Sequence, residues 1–225
     1  MHIEPGLVEA GKLWLSYVTA ASVGTYTVKL VADAVGERGA VSLVVRAAAA
    51  TALVFGFFEL LPHHPVGVSE VHLILGSTLF LLFGAAPAAV GLALGLLIQG
   101  LFFAPFDLPQ YGMNVTTLLV PLLAVAALAR RIIAPNTPYV DLGYRQALGL
   151  STAFQSGIVA WVAFWAFYGK GFTAENALSV LTFGSAYMTV VILEPLLDLA
   201  VLAGAKATHR LRNSRLVERR LYQTA

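Results

Sequence analysis

HLILGSTLFLLFGAAPAAVGLALGLLIQGLFFA, residues 72–104, contains no Asp, Glu, Lys or Arg. About 20 predominantly apolar residues are needed to cross a hydrocarbon core of about 30 Å. The stretch is therefore read as two spans that meet at Pro87: an unusually short one over 72–86 and a second over 88–104. Working outward, residues 41–61 form a span that ends at Pro62. Residues 12–32 form another, with Thr and Ser on one face. Downstream come 115–133, with a kink expected at Pro121, then 146–168, then 174–204, which is long enough to tilt. The fold class is all-α: a polytopic helical membrane bundle of about seven spans. Residues 1–225 make one transmembrane domain that ends in a basic tail at 205–225.

Composition agrees. Of the residues, 58% are hydrophobic and 12% charged, against about 25% charged in a soluble domain. Lipid must be the solvent for most of the exterior. There is no cysteine, which excludes disulfides, thiolate metal sites and cysteine nucleophiles. The first residues, Met1-His2-Ile3-Glu4-Pro5-Gly6, show neither a basic n-region nor a small-residue cleavage site. The mature chain is therefore expected to begin at Met1.

Basic residues set an expected direction. Arg38 and Arg46, then Arg130, Arg131 and Arg145, then the tail fall on one side of a seven-span chain. Lys206, Arg210, Arg212, Arg215, Arg219 and Arg220 make that tail basic. It lacks aromatic interleaving, so it is read as a solvated cytoplasmic segment and not as a nucleic-acid site. The N-terminus is then outside and the C-terminus cytoplasmic, in a bacterial plasma membrane. His2, His63, His64 and His72 share the outer face with Glu59, Glu70 and Asn114.

A histidine at position two has a particular chemistry. The α-amine, the backbone nitrogen of residue two and its imidazole can close fused chelate rings around one ion. A further histidine completes four nitrogens. Planar nitrogen sets suit Ni(II) and Cu(II), and low-spin Co(II) is compatible. The α-amine titrates near about 8, so it loses its proton at modest cost.

Met1-His2-Ile3 resembles the start of the CbiM/NikM family, the substrate-capture (S) components of energy-coupling factor transporters for cobalt and nickel. Phe55-Gly56-Phe57-Phe58-Glu59-Leu60-Leu61-Pro62 resembles the end of that family's span before its first outer loop. His72-Leu73-Ile74-Leu75-Gly76 is similar to its loop-to-helix segment. Gln99 to Phe103, Gly112-Met113-Asn114-Val115 and Val191-Ile192-Leu193-Glu194 resemble later motifs in the same order. The outer loops differ, notably Ala104 to Tyr111 and Pro65 to Val68. The resemblance implies Met1 (through its amine), His2 and His72 as ligands of a transported Co2+ or Ni2+, with no tightly held cofactor. It implies a membrane coupling (T) subunit, cytoplasmic ATPase subunits and a small accessory membrane subunit as partners.

Other polar residues remain to be placed. Glu194 lies inside a span, where a carboxylate is expensive and a functional candidate, or else a hydrogen-bonded packing residue. Asp198 shares its helix face and could pair with the basic tail. Glu59 or Glu70 could orient a metal-bound imidazole. Asn114 could fix the site loop or cap its span. Ala20-x-x-x-Gly24 and Ala48-x-x-x-Ala52 are small-residue pairs suited to close helix approach, inside the bundle or against a coupling subunit.

No Gly-rich phosphate loop is present, so this chain is not expected to hydrolyse ATP. A self-sufficient secondary transporter is the alternative, but neither an inverted repeat nor a His-x4-Asp-His helix signature is present. An intramembrane protease would need a histidine deep in a span beside Ser156. Four planar nitrogens favour nickel, whereas the loops resemble cobalt members slightly more, and cobalt is favoured narrowly. Neighbouring cobalamin-biosynthesis genes would point to cobalt, and urease or hydrogenase genes to nickel.

Overall fold

In lipid every backbone N–H and C=O must find a partner within the protein, so the apolar runs fold as helices. The computed structural model describes residues 3–61, 63–208, 211–212 and 214–224. The helices are α1 (Trp14–Arg38), α2 (Ala40–Glu59), α3 (Gly76–Phe83), α4 (Ala85–Phe102), α5 (Tyr111–Ile132), α6 (Tyr144–Lys170), α7 (Ala174–Met188) and α8 (Val190–Thr208). Between α2 and α3 a small antiparallel hairpin is formed by β1 (His64–Val66) and β2 (Ser69–Val71).

Five segments are long and apolar enough to cross a membrane: α2, α4, Pro105–Ile132, α6, and Ala174–Thr208, which joins α7 and α8. With α1 and α3 they give the helical bundle of about seven segments. Large apolar side chains such as Val28, Phe102, Phe172, Leu181 and Ile192 are exposed on its outside. On a soluble protein so much exposed apolar surface would mark an interface. Here it is the lipid-facing surface.

Two boundaries differ from the sequence reading. The span expected over 72–86 is helical only over the eight residues of α3, about 12 Å of rise. Residues 72–75 stay non-helical, and Leu75 takes a left-handed φ of 55° just before the helix. The long span over 174–204 divides at Thr189, whose hydroxyl donates to the carbonyl of Ala186 at 2.6 Å. Such a bond competes with the regular helix ladder. Where a kink was expected, α5 runs on through Pro121. Gly157 of α6 packs on that ring so closely that an added Cβ would lie 2.9 Å from it.

Helices α2 and α4 approach closely. A Cβ on Gly91 would come within 2.5 Å of Ala50, and one on Gly95 within 2.6 Å of Val54. The pair Ala48 and Ala52 instead faces outward. In α1 only Ser16 is buried, so this helix presents most of its surface, including the half-exposed Ala20 and Gly24, to its surroundings.

The solvated tail expected after α8 is corrected by the structure. Val217, Leu221 and Tyr222 are buried. Glu218 donates its N–H to the Leu82 carbonyl at 2.6 Å, and its side chain meets the buried Arg46 at 2.7 Å. Arg38 holds the carbonyls of Val217 and Ser214 at 2.7 and 3.3 Å. Arg220 reaches the carbonyls of Ile133 and Ala134, just past the end of α5. The physical reason is general: the last carbonyls of a helix have no partner within it and attract cationic donors. Arg220 serves the carbonyls just past α5 in this way, while Arg212, Arg215 and Arg219 are exposed.

Candidate metal centre

The site is built on the hairpin. Val66 pairs with Ser69, so the chain reverses through Gly67 and Val68. Gly67 takes a φ of 61°, and a Cβ there would lie 2.2 Å from the Ser179 carbonyl. Only glycine both adopts that conformation freely and lets the tip dock on α7. The docked hairpin delivers His72, which is 1% exposed.

The beginning of the chain is fastened to the same hairpin. Ile3 is fully buried and bridges antiparallel to Ser69. Its N–H donates to Asn114 Oδ1 at 3.0 Å, and the Glu4 N–H donates to the Val68 carbonyl at 3.3 Å. Asn114 lies in the first turn of α5. Gly112, two residues earlier, lets α1 approach, since a Cβ there would meet Ser16 Oγ at 2.8 Å. Met1 and His2, the other sequence candidates, lie outside the described residues.

The His72 ring is held on several sides. Its Nε2 lies 2.9 Å from Glu70 Oε2. The His63 ring stacks on it at 4.9 Å with 9° between planes, and Phe58 meets it edge-on at 5.4 Å. A carboxylate facing Nε2 selects the tautomer with the proton on Nε2 and the lone pair on Nδ1.

Sequence reasoning offered Glu59 or Glu70 as the orienting carboxylate and leaned to an exposed Glu70. The residue that bonds His72 is Glu70, while Glu59 is the half-buried last residue of α2. The missed signal was spacing: Glu70 and His72 are two apart in extended chain, where side chains two apart share a face. The stacking of His63 was missed as well. His64 is exposed, and His209 lies outside the described residues. Glu194 is bonded by Ser77, Ser151 and Gln155 instead, so the structure does not bring it to His72. Asp198 bonds Ser77 and Thr78, and no described tail residue pairs with it.

The electrostatics of this end favour cations. Glu4, Glu70 and the buried Asp107 lie within electrostatic reach of one another. The nearby Lys12 is turned to the carbonyls of Tyr168 and Gly169 at 3.2 and 3.3 Å, at the end of α6. Among the described residues, no group of three or more His, Asp or Glu side chains is arranged to hold a metal ion. Described side chains alone do not complete a cage around His72.

A family model described as the cobalt uptake substrate-specific transmembrane region, CbiM, matches residues 2–210. The chain belongs to the CbiM family. Two solved structures share the CbiM chain's fold, and both are titled as crystal structures of a transition metal transporter. One, of a truncated form, has a TM-score of 0.71 at 19% identity, covering 93% of this chain and 99% of its own. The other has a TM-score of 0.69 at 19% identity, covering 92% and 93%. No curated protein sequence matches this CbiM chain. The protein is a multi-pass membrane component of metal transport.

Proposed function

We propose that this chain captures Co2+, in narrow preference to Ni2+, at the histidine end of the bundle. The donors are the Met1 amine, the backbone nitrogen and imidazole of His2, and Nδ1 of His72. The observation that carries the reading is the fastening of Ile3 to Ser69 and Asn114. It ties the backbone next to His2 onto the hairpin that delivers His72 three residues after Ser69. A chelate made by the first two residues gains most when the following residue is already fixed, because less freedom is lost on binding. The cobalt in the family's description supports the choice of metal. The acidic residues around the site would raise the local cation concentration.

The histidine end faces outside and the arginine end faces the cytoplasm of a bacterial cell, in line with the gathering of Arg38, Arg46 and the tail at one end. The energy comes from cytoplasmic ATPase subunits through a membrane coupling (T) subunit, with a small accessory membrane subunit. The outward-facing Ala48 and Ala52 of α2 and the exposed surface of α1 suit docking of a membrane partner.

The test is equilibrium binding of Co2+ and Ni2+ to the purified full-length chain. One residue inserted between Met1 and His2 moves the imidazole away from the amine and keeps every side chain. We expect the insertion, acetylation of the amine, and His2→Ala each to abolish tight binding. Near-normal affinity of the inserted and acetylated forms would remove the amine from the ligand set. In vesicles, energised uptake should require the partner subunits; uptake by this chain alone would support a secondary transporter.

A further inference from the structure

Glu194 and Asp198 of α8 are both fully buried in the membrane part of the bundle. Neither forms an ion pair with any described residue. The hydrogen bonds around them can be counted. Ser77 Oγ lies 3.0 Å from Glu194 Oε1 and 2.8 Å from Asp198 Oδ2. Thr78 Oγ1 bonds Asp198 Oδ1. Ser151 Oγ lies 2.9 Å from Glu194 Oε2, which Gln155 Nε2 also bonds. That makes five contacts with the two carboxyls. The neighbours bring four hydrogens to them, one each from Ser77, Thr78, Ser151 and the Gln155 amide, since a hydroxyl has only one to give. Ser77 donates to one carboxyl and must accept from the other.

Two further buried polar groups near the pair lack a partner among the described residues. Gln155, fully buried, has its amide in the cluster, yet its Oε1 has no donor. The Tyr187 hydroxyl, also fully buried, has no partner. Its phenol lies seven residues before Glu194, about two helical turns, and within electrostatic reach of that carboxyl.

The groups facing the pair from the packed elements are Ser77 and Thr78 of α3, Ser151 and Gln155 of α6, and Tyr187 of α7. Of these only Tyr187 is titratable. Asp141, in the turn beside α8, is paired with Lys206, eight residues beyond Asp198 and about 12 Å along the axis. Among the described residues no cation is at hand to neutralise two carboxylates, and an unpaired buried charge is very costly.

We propose that Glu194, Ser77 and Asp198 form a proton-binding site inside the membrane, holding one proton between the two carboxyls through the serine hydroxyl. With the proton present, the cluster clamps α8 to α3 and α6. Loss of the proton leaves two carboxylates facing one hydroxyl, and their repulsion drives α8 away from α3. The site stands independently of metal capture at His72.

The test is infrared spectroscopy of the purified full chain in lipid nanodiscs, without metal. At neutral pH the wild type should show a protonated-carboxyl C=O band that Glu194→Gln/Asp198→Asn lacks, and Ser77→Ala should shift its frequency. Absence of any such band in the wild-type-minus-variant difference overturns the proposal. A second readout covers the case in which the double variant does not fold. A folded state that holds a proton which the unfolded state releases loses stability as pH rises. The thermal midpoint of the wild type should therefore fall with rising pH more steeply than that of Glu194→Gln, and equal slopes overturn the proposal. If Na+, but not choline, raises the wild-type midpoint at neutral pH and no band is present, the site holds a metal cation and the proton assignment is wrong.

Discussion

The two ends of the bundle handle charge in opposite ways. At the arginine end, cations are consumed by structure: Arg46 holds Glu218 and the Phe83 carbonyl, and Arg220 holds the carbonyls past α5. At the histidine end, the backbone is fixed by neutral partners, through Ile3 on Asn114 and Ser69. Carboxylates gather there, and Lys12 is turned to helix carbonyls. Charge density therefore does not mark the working end. The basic end is a locked structural seam, and the acidic end holds a buried imidazole in a fixed orientation.

This comparison can be broken most sharply at His72. If it is a ligand, His72→Ala should weaken Co2+ binding by at least about 100-fold, more than the loss of a residue that merely supports a ligand. Membrane insertion should be unchanged, while loss of the buried ring should lower the thermal midpoint without unfolding the chain. Binding within a few-fold of wild type, measured by equilibrium dialysis, would detach the histidine end from metal capture.

The next largest effect belongs to the opposite end. Glu218→Ala leaves the buried Arg46 without its carboxylate. Breaking a buried pair costs about 3–5 kcal/mol, and the cost here should be about 2 kcal/mol because Glu218 is 23% exposed and Arg46 keeps the Phe83 carbonyl. Stability should fall while Co2+ affinity is unchanged. Equal loss of both would mean that the two ends are coupled and would overturn the division drawn here.

A smaller effect separates the two candidate carboxylates. Glu70→Gln should lower Co2+ affinity by about 10-fold, because the partner of a ligating imidazole sets its tautomer and basicity. Glu59→Gln should leave affinity within about two-fold. The reverse order would return the orienting role to Glu59.

How much of this was legible in the sequence depends on the range of the interaction. The helices follow from apolar runs, a local property, and α2, α4 and α6 lie close to where those runs fall. The short α3 was less legible, because residues 72–75 are apolar enough to read as span but belong to the hairpin's exit. Glu70 beside His72 was readable from a two-residue alternation. The stacking of His63 was not, since it depends on the hairpin register that sets His64 against Val71. The bond from Ile3 to Asn114 joins residues 111 apart, beyond any local pattern. The tail was misread for a physical reason: a run of arginines looks like a solvated segment, and the docking residues between them, Val217, Glu218, Leu221 and Tyr222, find their partners only once the bundle is in place.

The smallest effect bears on that long-range bond. Asn114→Ala removes the acceptor of a buried Ile3 N–H, and a net hydrogen bond contributes about 1 kcal/mol. Ile3 keeps its bridge to Ser69, and Glu4 keeps Val68, so the strand should remain docked but less tightly held. If that freedom is lost again on binding, Co2+ affinity should drop about five-fold. Asn114→Asp keeps an acceptor at the same place and should bind at least as well as wild type, with the added negative charge working in the cation's favour. Asn114→Ala separates two roles. An Asn114 that only caps α5 would be replaced well by Asp, and its loss would lower the thermal midpoint while affinity stayed put. An Asn114 that holds the start of the chain changes affinity through the dissociation rate, which stopped-flow competition with a chelator reads directly. An unchanged dissociation rate in Asn114→Ala would show that the fastening of Ile3 does not serve the metal site.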